Sequence, residues 1–429
     1  MSQSEPQDTA GLPARAAALD LLTAALSRRA GLEEGLNHPS LAALSPRDRA
    51  FARALAMATL RRLGPIDQAL QERVAKAPPD RVVQILRLGV AQLFVLETPA
   101  HAAVSSSVDL AQQHNQSRPF KGLVNAVLRA LTREPPKLDD PERMAPPWLY
   151  ARWSAAFGAE AAREIAAQIA AEPATDLSLK DPAQGEVFAE EREGEVLAGG
   201  SVRTGRRGDV AIWPGFTEGV WWVQDAAAAI PARLLEVQPG QTALDLCAAP
   251  GGKTLQLAAA GAQVTALDKS AARLTRLSDN LARTGLAAEV VVADAATWRD
   301  GRSFDAVLLD APCSATGTFR RHPDVLWAAK PSDVASLAAL QSRLFDAAAA
   351  KVKLGGRLVY CVCSLEPEEG EAQVAAFLQR HPDFAIDPIA AGEGGAPEAS
   401  LRPDGTLRIL PHHRPGGVDG FYAARLRRS

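Results

Sequence analysis

The sequence predicts a multi-domain chain with three parts in series: an all-α bundle, a small α+β connector, and an α/β domain on a parallel sheet. Three observations lead there. Apolar residues recur three and four apart from Leu12 to about Arg133, the spacing of one helix face. Between 175 and 223 the pattern changes to short alternating runs set apart by glycine, as strands require. From Asp225 to the end, strand-like and helix-like runs alternate, which argues for parallel strands covered by helices on both faces. The length, 429 residues, leaves room for about three domains. The boundaries expected are 12–134 for the helical domain, 135–147 for a linker, 148–224 for the connector and 225–429 for the α/β domain.

Residues 1 to 12 are polar and expected to be loose. The first helix carries Ala18, Leu21, Leu22 and Ala25 on one face. Ser45-Pro46-Arg47-Asp48 reads as a helix start, with a Ser cap, Pro in the first position and an acid in the first turn. That helix runs through Phe51, Leu55 and Leu60, and Gly64-Pro65 is expected to end it. Val82 to Leu96, 101–114 and 118–132 give three more helices. Five prolines (135, 136, 141, 146 and 147) among charges mark a stiff linker, and two helices follow, about 148–157 and 159–171.

In the connector, DLSLK, GEVFA, DVAIW and GVWWVQD read as strands. The aromatics Trp213, Phe216, Trp221 and Trp222 lie close in sequence; core packing is the default for such a cluster and base stacking the alternative. Farther on, strands are expected at 242–247, 263–268, 288–293, 304–310, 356–362 and 420–426, the last as an antiparallel edge. Helices are expected at 225–236, 253–260, 271–284, 333–353 and 367–380. Gly355-Gly356 marks the tight start of the fifth strand.

Composition removes several classes. Formal net charge is -3, so no global nucleic-acid signature exists. Residues 1–140 hold 17 Lys/Arg against 14 Asp/Glu, a tilt that solvated helix faces explain as readily as an RNA-facing surface. The same applies to Arg47, Arg49, Arg53, Arg61 and Arg62, for which the plain solvated face is preferred. The four cysteines form no C-x-x-C pair and no His cluster accompanies them, so a zinc site is not expected. No signal peptide and no membrane-length apolar run is visible. The expectation is a cytoplasmic protein with free thiols.

One stretch organises the α/β part: Thr242 to Thr254, TALDLCAAPGGKT. A short apolar strand, a sharp turn and a helix start make a nucleotide-sized pocket, because glycines let a ligand approach the backbone and the helix start offers unpaired N–H groups. The turn is neither G-x-G-x-x-G nor a P-loop. Four further features fall at strand ends, where an open α/β sheet has its ligand crevice. They are Asp268, Asp294, the corner Asp310-Ala311-Pro312-Cys313-Ser314, and the corner Tyr360-Cys361-Val362-Cys363-Ser364. A lone Asp commonly caps a helix and a lone buried Cys is usually a small core residue. Three acids and two Cys-Ser corners at one sheet edge point beyond that.

CAAPGGKT, DAPCS followed by TGT, and YCVCSLEPEEGE resemble the RNA cytosine-5-methyltransferases that use S-adenosyl-L-methionine, a family with a Rossmann-like class I methyltransferase domain. LGVAQLFVLETPAHAAV and KGLVNAVLRAL in the helical front resemble the NusB-like RNA-binding domain of its bacterial small-subunit ribosomal RNA methyltransferase B branch. The resemblance spans about residues 12 to 426. It implies methyl transfer to carbon 5 of a cytosine in small-subunit ribosomal RNA. That carbon is a poor nucleophile until a thiolate adds to carbon 6, which calls for an activated cysteine.

The family places this nucleophile at the second cysteine of the motif matched by YCVCS, hence Cys363, and assigns release to the cysteine matched by Cys313. By the same resemblance Asp310 would bind the cytosine edge and Lys253 would face the base. Cys247, Ala248, Ala249, Pro250, Gly251, Gly252 and Lys253 would line the methionine end of the cofactor, Asp268 would hold the ribose and Asp294 the adenine, with Asp310 also on the cofactor side. Cys247 is read as a small lining residue. Cys361, often Ser or Ala in the family, is read as packing, since neighbours on a strand point opposite ways. DNA cytosine methyltransferases carry their nucleophile in a Pro-Cys motif, an analogy that would select Cys313; they lack the YCVCS corner, which ranks Cys363 first. Two rivals stand beside this reading. A transfer RNA cytosine-5-methyltransferase is disfavoured by the NusB-like front, and a non-catalytic RNA-binding or assembly factor by the two thiols. The partners expected are RNA, no membrane and no metal, with the protein a monomer.

Overall fold

The computed structural model describes residues 11–27 and 39–429. The polar start, expected to be loose, lies outside the described residues up to residue 10. The chain forms two compact units. One comprises residues up to Ala171 together with Arg321–Ala328; the other comprises Glu172–Arg320 and Ala329–Ser429.

In the helical unit, Leu12–Ser27, Pro46–Arg61, Asp80–Phe94, Ala100–Gln112 and Lys121–Arg133 are the long helices. Their apolar faces meet in one core that includes Leu19, Leu22, Leu55, Ile85, Leu88 and Leu128. The Ser45 cap forms as expected, its hydroxyl accepting the Asp48 N–H at 3.2 Å. Gly64-Pro65 does not simply stop a helix. It lies in the first turn of a further one, Leu63–Gln71, where proline is tolerated because its missing N–H has no partner to lose. Gly64 is needed there, since a Cβ would stand 1.9 Å from the Arg143 carbonyl oxygen.

The proline-rich stretch packs against its surroundings. It contains a short helix, Pro141–Met144, and buries Leu138, Met144 and Ala145. The helices Pro147–Phe157 and Ala159–Ala167, grouped by sequence with the connector, belong to this unit. Arg61 is buried and donates to the Ile169 carbonyl at 3.1 Å, and Arg49 donates to the carbonyls of Leu41, Ala42 and Leu44. Two of the five clustered arginines are thus committed to backbone.

The second unit begins with a four-stranded antiparallel sheet. Its strands are β1 (Thr175–Leu179), β2 (Gly194–Val196), β3 (Val202–Thr204) and β4 (Trp221–Val223), in the order β2-β3-β1-β4. Two expected strands are not strands. GEVFA is part of the helix Gly185–Glu190, which turns Gly185, Phe188 and Ala189 inward. DVAIW holds a 3-10 turn at Val210–Ile212, closed by Asp209 accepting the Ala211 N–H at 3.0 Å. Trp213 and Trp221 pack with Leu177, Phe188 and Val202, and Trp222 with Leu255, Leu274 and Leu277. All three indoles are buried, so the core-packing reading applies.

The large sheet contains β5 (Thr242–Leu246), β6 (Gln263–Asp268), β7 (Glu289–Val292), β8 (Phe304–Asp310), β9 (Val352–Val362), β10 (Phe384–Ile386), β11 (Leu407–Ile409) and β12 (Phe421–Arg428). The order is β10-β12-β9-β8-β5-β6-β7, with β9 to β7 mutually parallel and β12 antiparallel to β9. The last strand is antiparallel but not an edge, because β10 and β11 both pair with it. β9 starts at Val352, ahead of Gly355-Gly356, so the preceding helix ends at Ala349 and the glycines lie where the register with β8 shifts. From β5 the chain builds β6 and β7 on one side and then β8 and β9 on the other. The carboxyl ends of β5 and β8 therefore flank the switch point, where ligands bind in such sheets. Among the described residues, no helix is long and apolar enough to cross a membrane.

Candidate active site

After β5 the backbone turns sharply. Cys247 has φ +63°, the Ala249–Pro250 peptide is cis, and Gly251, at φ +112°, precedes the helix Gly252–Ala259. A Cβ on Gly251 would lie 2.4 Å from Leu277 Cδ1, so only glycine fits. Asp268, buried at the end of β6, braces this turn. Its carboxylate accepts the Ala249 N–H at 3.2 Å and the Ser270 N–H at 2.9 Å, and Arg273 lies 3.4 Å away. Asp294 sits two residues beyond β7, exposed, and accepts the Ala296 N–H at 2.9 Å within its own turn.

Asp245, the next-to-last residue of β5, was not singled out by sequence. It is buried; one oxygen accepts the Thr254 hydroxyl at 2.6 Å, and the other has no hydrogen-bond partner. Burial pushes its carboxyl up to about 7; the Thr254 hydrogen bond opposes this and the nearby Asp310 charge adds to it.

A second group gathers at the ends of β8 and β9. Lys253 Nζ donates to Asp310 at 2.7 Å. Burial alone would lower the lysine's pKa, but Asp310 outweighs it and the net displacement is upward, so the ammonium is retained. Cys361 is buried among Ala243, Leu308 and Phe421, as the packing reading expects, yet its Sγ also lies 3.5 Å from Asp310. Burial, reinforced by Asp310, holds that thiol well above the usual cysteine range. Cys247 is pushed up to about 12 by burial and by Asp310 and Asp268. Both stay as thiols at neutral pH.

Cys313 and Cys363, fifty residues apart, bring their sulfurs within 3.5 Å. The hydrogen bond with Cys363 and burial hold the Cys313 thiol well above its ordinary value. The two corners are also joined through backbone. Ala311 N–H donates to the Cys361 carbonyl and Gly317 N–H to the Cys363 carbonyl, each at 3.0 Å. Gly317 must lack a side chain, since a Cβ would stand 2.1 Å from the Gly420 carbonyl oxygen. The structure thus brings together Lys253, Asp310 and Cys361, and beside them Cys313 and Cys363, with Cys363 near enough to act on the Lys253 charge. It folds Cys247–Gly252 around Asp268 and leaves Asp294 in its own turn. Sequence reasoning missed Asp245, Arg273 and Glu369, the last of which contacts both Cys-Ser corners.

This is a Rossmann-like methyltransferase domain in a chain whose N-terminal part is a helical bundle. Residues 232–427 match the family described as 16S rRNA methyltransferase RsmB/F, and residues 12–133 match the NusB family. The chain is 37% identical over 409 residues to ribosomal RNA small subunit methyltransferase B of Sodalis glossinidius, covering 90% of this chain and 92% of that one. It is 38% identical over 436 residues to the protein of the same name from Pseudomonas syringae pv. tomato, covering 96% of each. Among solved structures, that of PH0851 aligns with TM-score 0.78 at 24% identity over 99% of this chain and 100% of the other. A methyltransferase homolog protein from Pyrococcus horikoshii aligns with TM-score 0.55 at 25% identity over 65% of this chain and 94% of the other. The chain belongs to the ribosomal RNA small subunit methyltransferase B family, whose members are ribosomal RNA methyltransferases.

Proposed function

We propose that this protein transfers a methyl group from S-adenosyl-L-methionine to carbon 5 of a cytosine in small-subunit ribosomal RNA, through a covalent adduct on Cys363. The observation that carries the reading is the thiol pair, Cys313 and Cys363 at 3.5 Å, on the strand ends beside the Lys253–Asp310 ion pair. A packing role needs no second half-buried thiol there.

The residues present fit the cofactor. The turn from Cys247 to Gly252 carries only small side chains, Asp268 ends the next strand and Asp294 follows the one after it. Cys247 to Lys253 would hold the methionine end, Asp268 the ribose and Asp294 the adenine. When bound, S-adenosyl-L-methionine supplies an electrophilic methyl group.

The protein's own groups do the rest. The Cys363 thiolate forms a bond to carbon 6, and the electrons of the 5,6 double bond move toward carbon 5 and the ring nitrogen. Lys253, ammonium under all ordinary conditions, can offset charge that develops on the ring, while Asp310 holds it in place. After carbon 5 has gained its substituent, it must lose a proton. Cys313, in its thiolate form, takes the proton and becomes a thiol, the carbon–carbon double bond re-forms and Cys363 leaves as thiolate. The base has to be unstacked for a thiol to reach its face.

Bisulfite sequencing of small-subunit ribosomal RNA tests the proposal. A strain lacking the protein is expected to lose protection at a specific cytosine. An unchanged set of protected cytosines overturns it.

A further inference from the structure

Glu369 has no part in the chemistry described so far. Its carboxylate is fully buried and takes four hydrogen bonds. One oxygen accepts the Ser314 N–H at 2.9 Å and the Gln341 side-chain amide at 3.1 Å. The other accepts the hydroxyls of Ser314 and Ser364, each at 2.5 Å. Ser314 directly follows Cys313, and Ser364 directly follows Cys363. One side chain therefore grips the neighbour of each thiol. Gln341 also donates to the Pro312 carbonyl at 3.0 Å, on the other side of Cys313. Glu369 is itself anchored, its own carbonyl accepting the Tyr360 hydroxyl at 2.5 Å. A carboxylate suits this junction because it is acceptor-only with room for about four donors, and burying one without such partners would be costly.

We propose that Glu369 is a positioning residue that holds the Cys313 and Cys363 thiols at reacting separation by binding the serine next to each. This rests on the reading that both thiols act on one base. The carboxylate also has an electrostatic effect. The Cys313 thiol is held high first by its hydrogen bond with Cys363, then by burial and the Cys363 charge, and Glu369 adds to these. The same charge makes the Cys313 thiolate a stronger base for the proton at carbon 5.

The experiment compares the full-length protein with Glu369→Ala and Glu369→Gln, each checked for folding by circular dichroism. Diamide reports the sulfur separation: two thiols lose two electrons and two protons to its N=N bond, giving a hydrazine and one disulfide. Mass spectrometry then follows the Cys313–Cys363 pair. Glu369→Ala is expected to slow formation of that disulfide at least tenfold. Glu369→Gln, whose oxygen can still accept both N–H donors and whose amide can donate to both hydroxyls, is expected to stay within threefold. In Glu369→Gln the pH profile of Cys313 alkylation should move to lower pH, because the negative charge that opposed its thiolate is gone.

In methyl transfer, Glu369→Ala should lower kcat about a hundredfold while KM for S-adenosyl-L-methionine stays within twofold. If Glu369→Ala does not fold, Ser314→Ala and Ser364→Ala, which each remove one hydroxyl, take its place, and each is expected to slow the disulfide. Wild-type disulfide rates in Glu369→Ala, or in both serine variants, overturn the proposal. So does an unmoved alkylation profile in Glu369→Gln. The disulfide and alkylation readouts need no RNA, so a failure of the proposed function is recognised separately.

Discussion

Cys363 and Cys313 sit on different turns and share one contact, and the proposed chemistry divides between them. Cys363→Ala is expected to abolish methyl transfer while isothermal titration shows unchanged S-adenosyl-L-methionine affinity; full activity would sink the nucleophile assignment. Cys313→Ala should let the adduct form but not resolve, giving a retarded protein–RNA band on a denaturing gel. Asp245 offers a test that needs no substrate. An aspartate ionises near pH 4 when unfolded, and here at about 7 when folded. Between those values the folded state binds more protons, so stability falls as pH rises through the window and is flat above it. Asp245→Asn removes that penalty. Its melting midpoint should exceed the wild type's at pH 8, by the equivalent of about 1 kcal/mol or more, and the gap should close toward pH 4. A gap that does not change with pH would rule out the buried charge. The thiols, Lys253 and Asp310 were legible because reactive residue types stood beside sharp turns. Asp245 and Glu369 were not. Asp245 looks like any residue of an apolar strand, and the partners of Glu369 are at 314, 341 and 364, brought together only by the sheet.

At the scale of elements, the glycine turn makes the sharpest demand on backbone. Gly251→Ala would force an L side chain into φ +112° and against Leu277. Such strain costs roughly 1–3 kcal/mol and moves the start of the following helix. Cofactor affinity measured by titration should drop at least tenfold, with a lower melting midpoint; wild-type affinity would mean that the turn does not line the cofactor. The central strands β5, β6 and β8 were readable from sequence because strands buried on both faces appear as continuous apolar runs. β2, β3, β10 and β11 were not, being only three residues each, too short for a period to show. The Gly355-Gly356 signal was real but marks a register shift inside β9 instead of its start, since glycine serves either purpose equally well.

For the whole molecule, sequence order and packing order part company at one place. Arg321–Ala328 belongs to the helical unit although the residues on both sides of it belong to the other. Within it, the helix Asp324–Ala328 lies against Leu12–Ser27, and Leu326 is fully buried. No periodicity could have announced this, because a five-residue helix shows too little of a pattern to identify its partner. The physical consequence is direct. Truncating a fully buried leucine costs roughly 2–5 kcal/mol through lost transfer energy and the cavity left behind. Leu326→Ala should therefore loosen a helix that begins 314 residues earlier in the chain. Native-state hydrogen exchange reads this at the residues concerned. Amides of Leu12–Ser27 are expected to exchange at least tenfold faster in the variant, while those of β5 and β8 keep their wild-type rates. Unchanged exchange in Leu12–Ser27 would show that the segment contributes nothing to the helical unit's stability. A uniform acceleration in both units would show that they unfold as one.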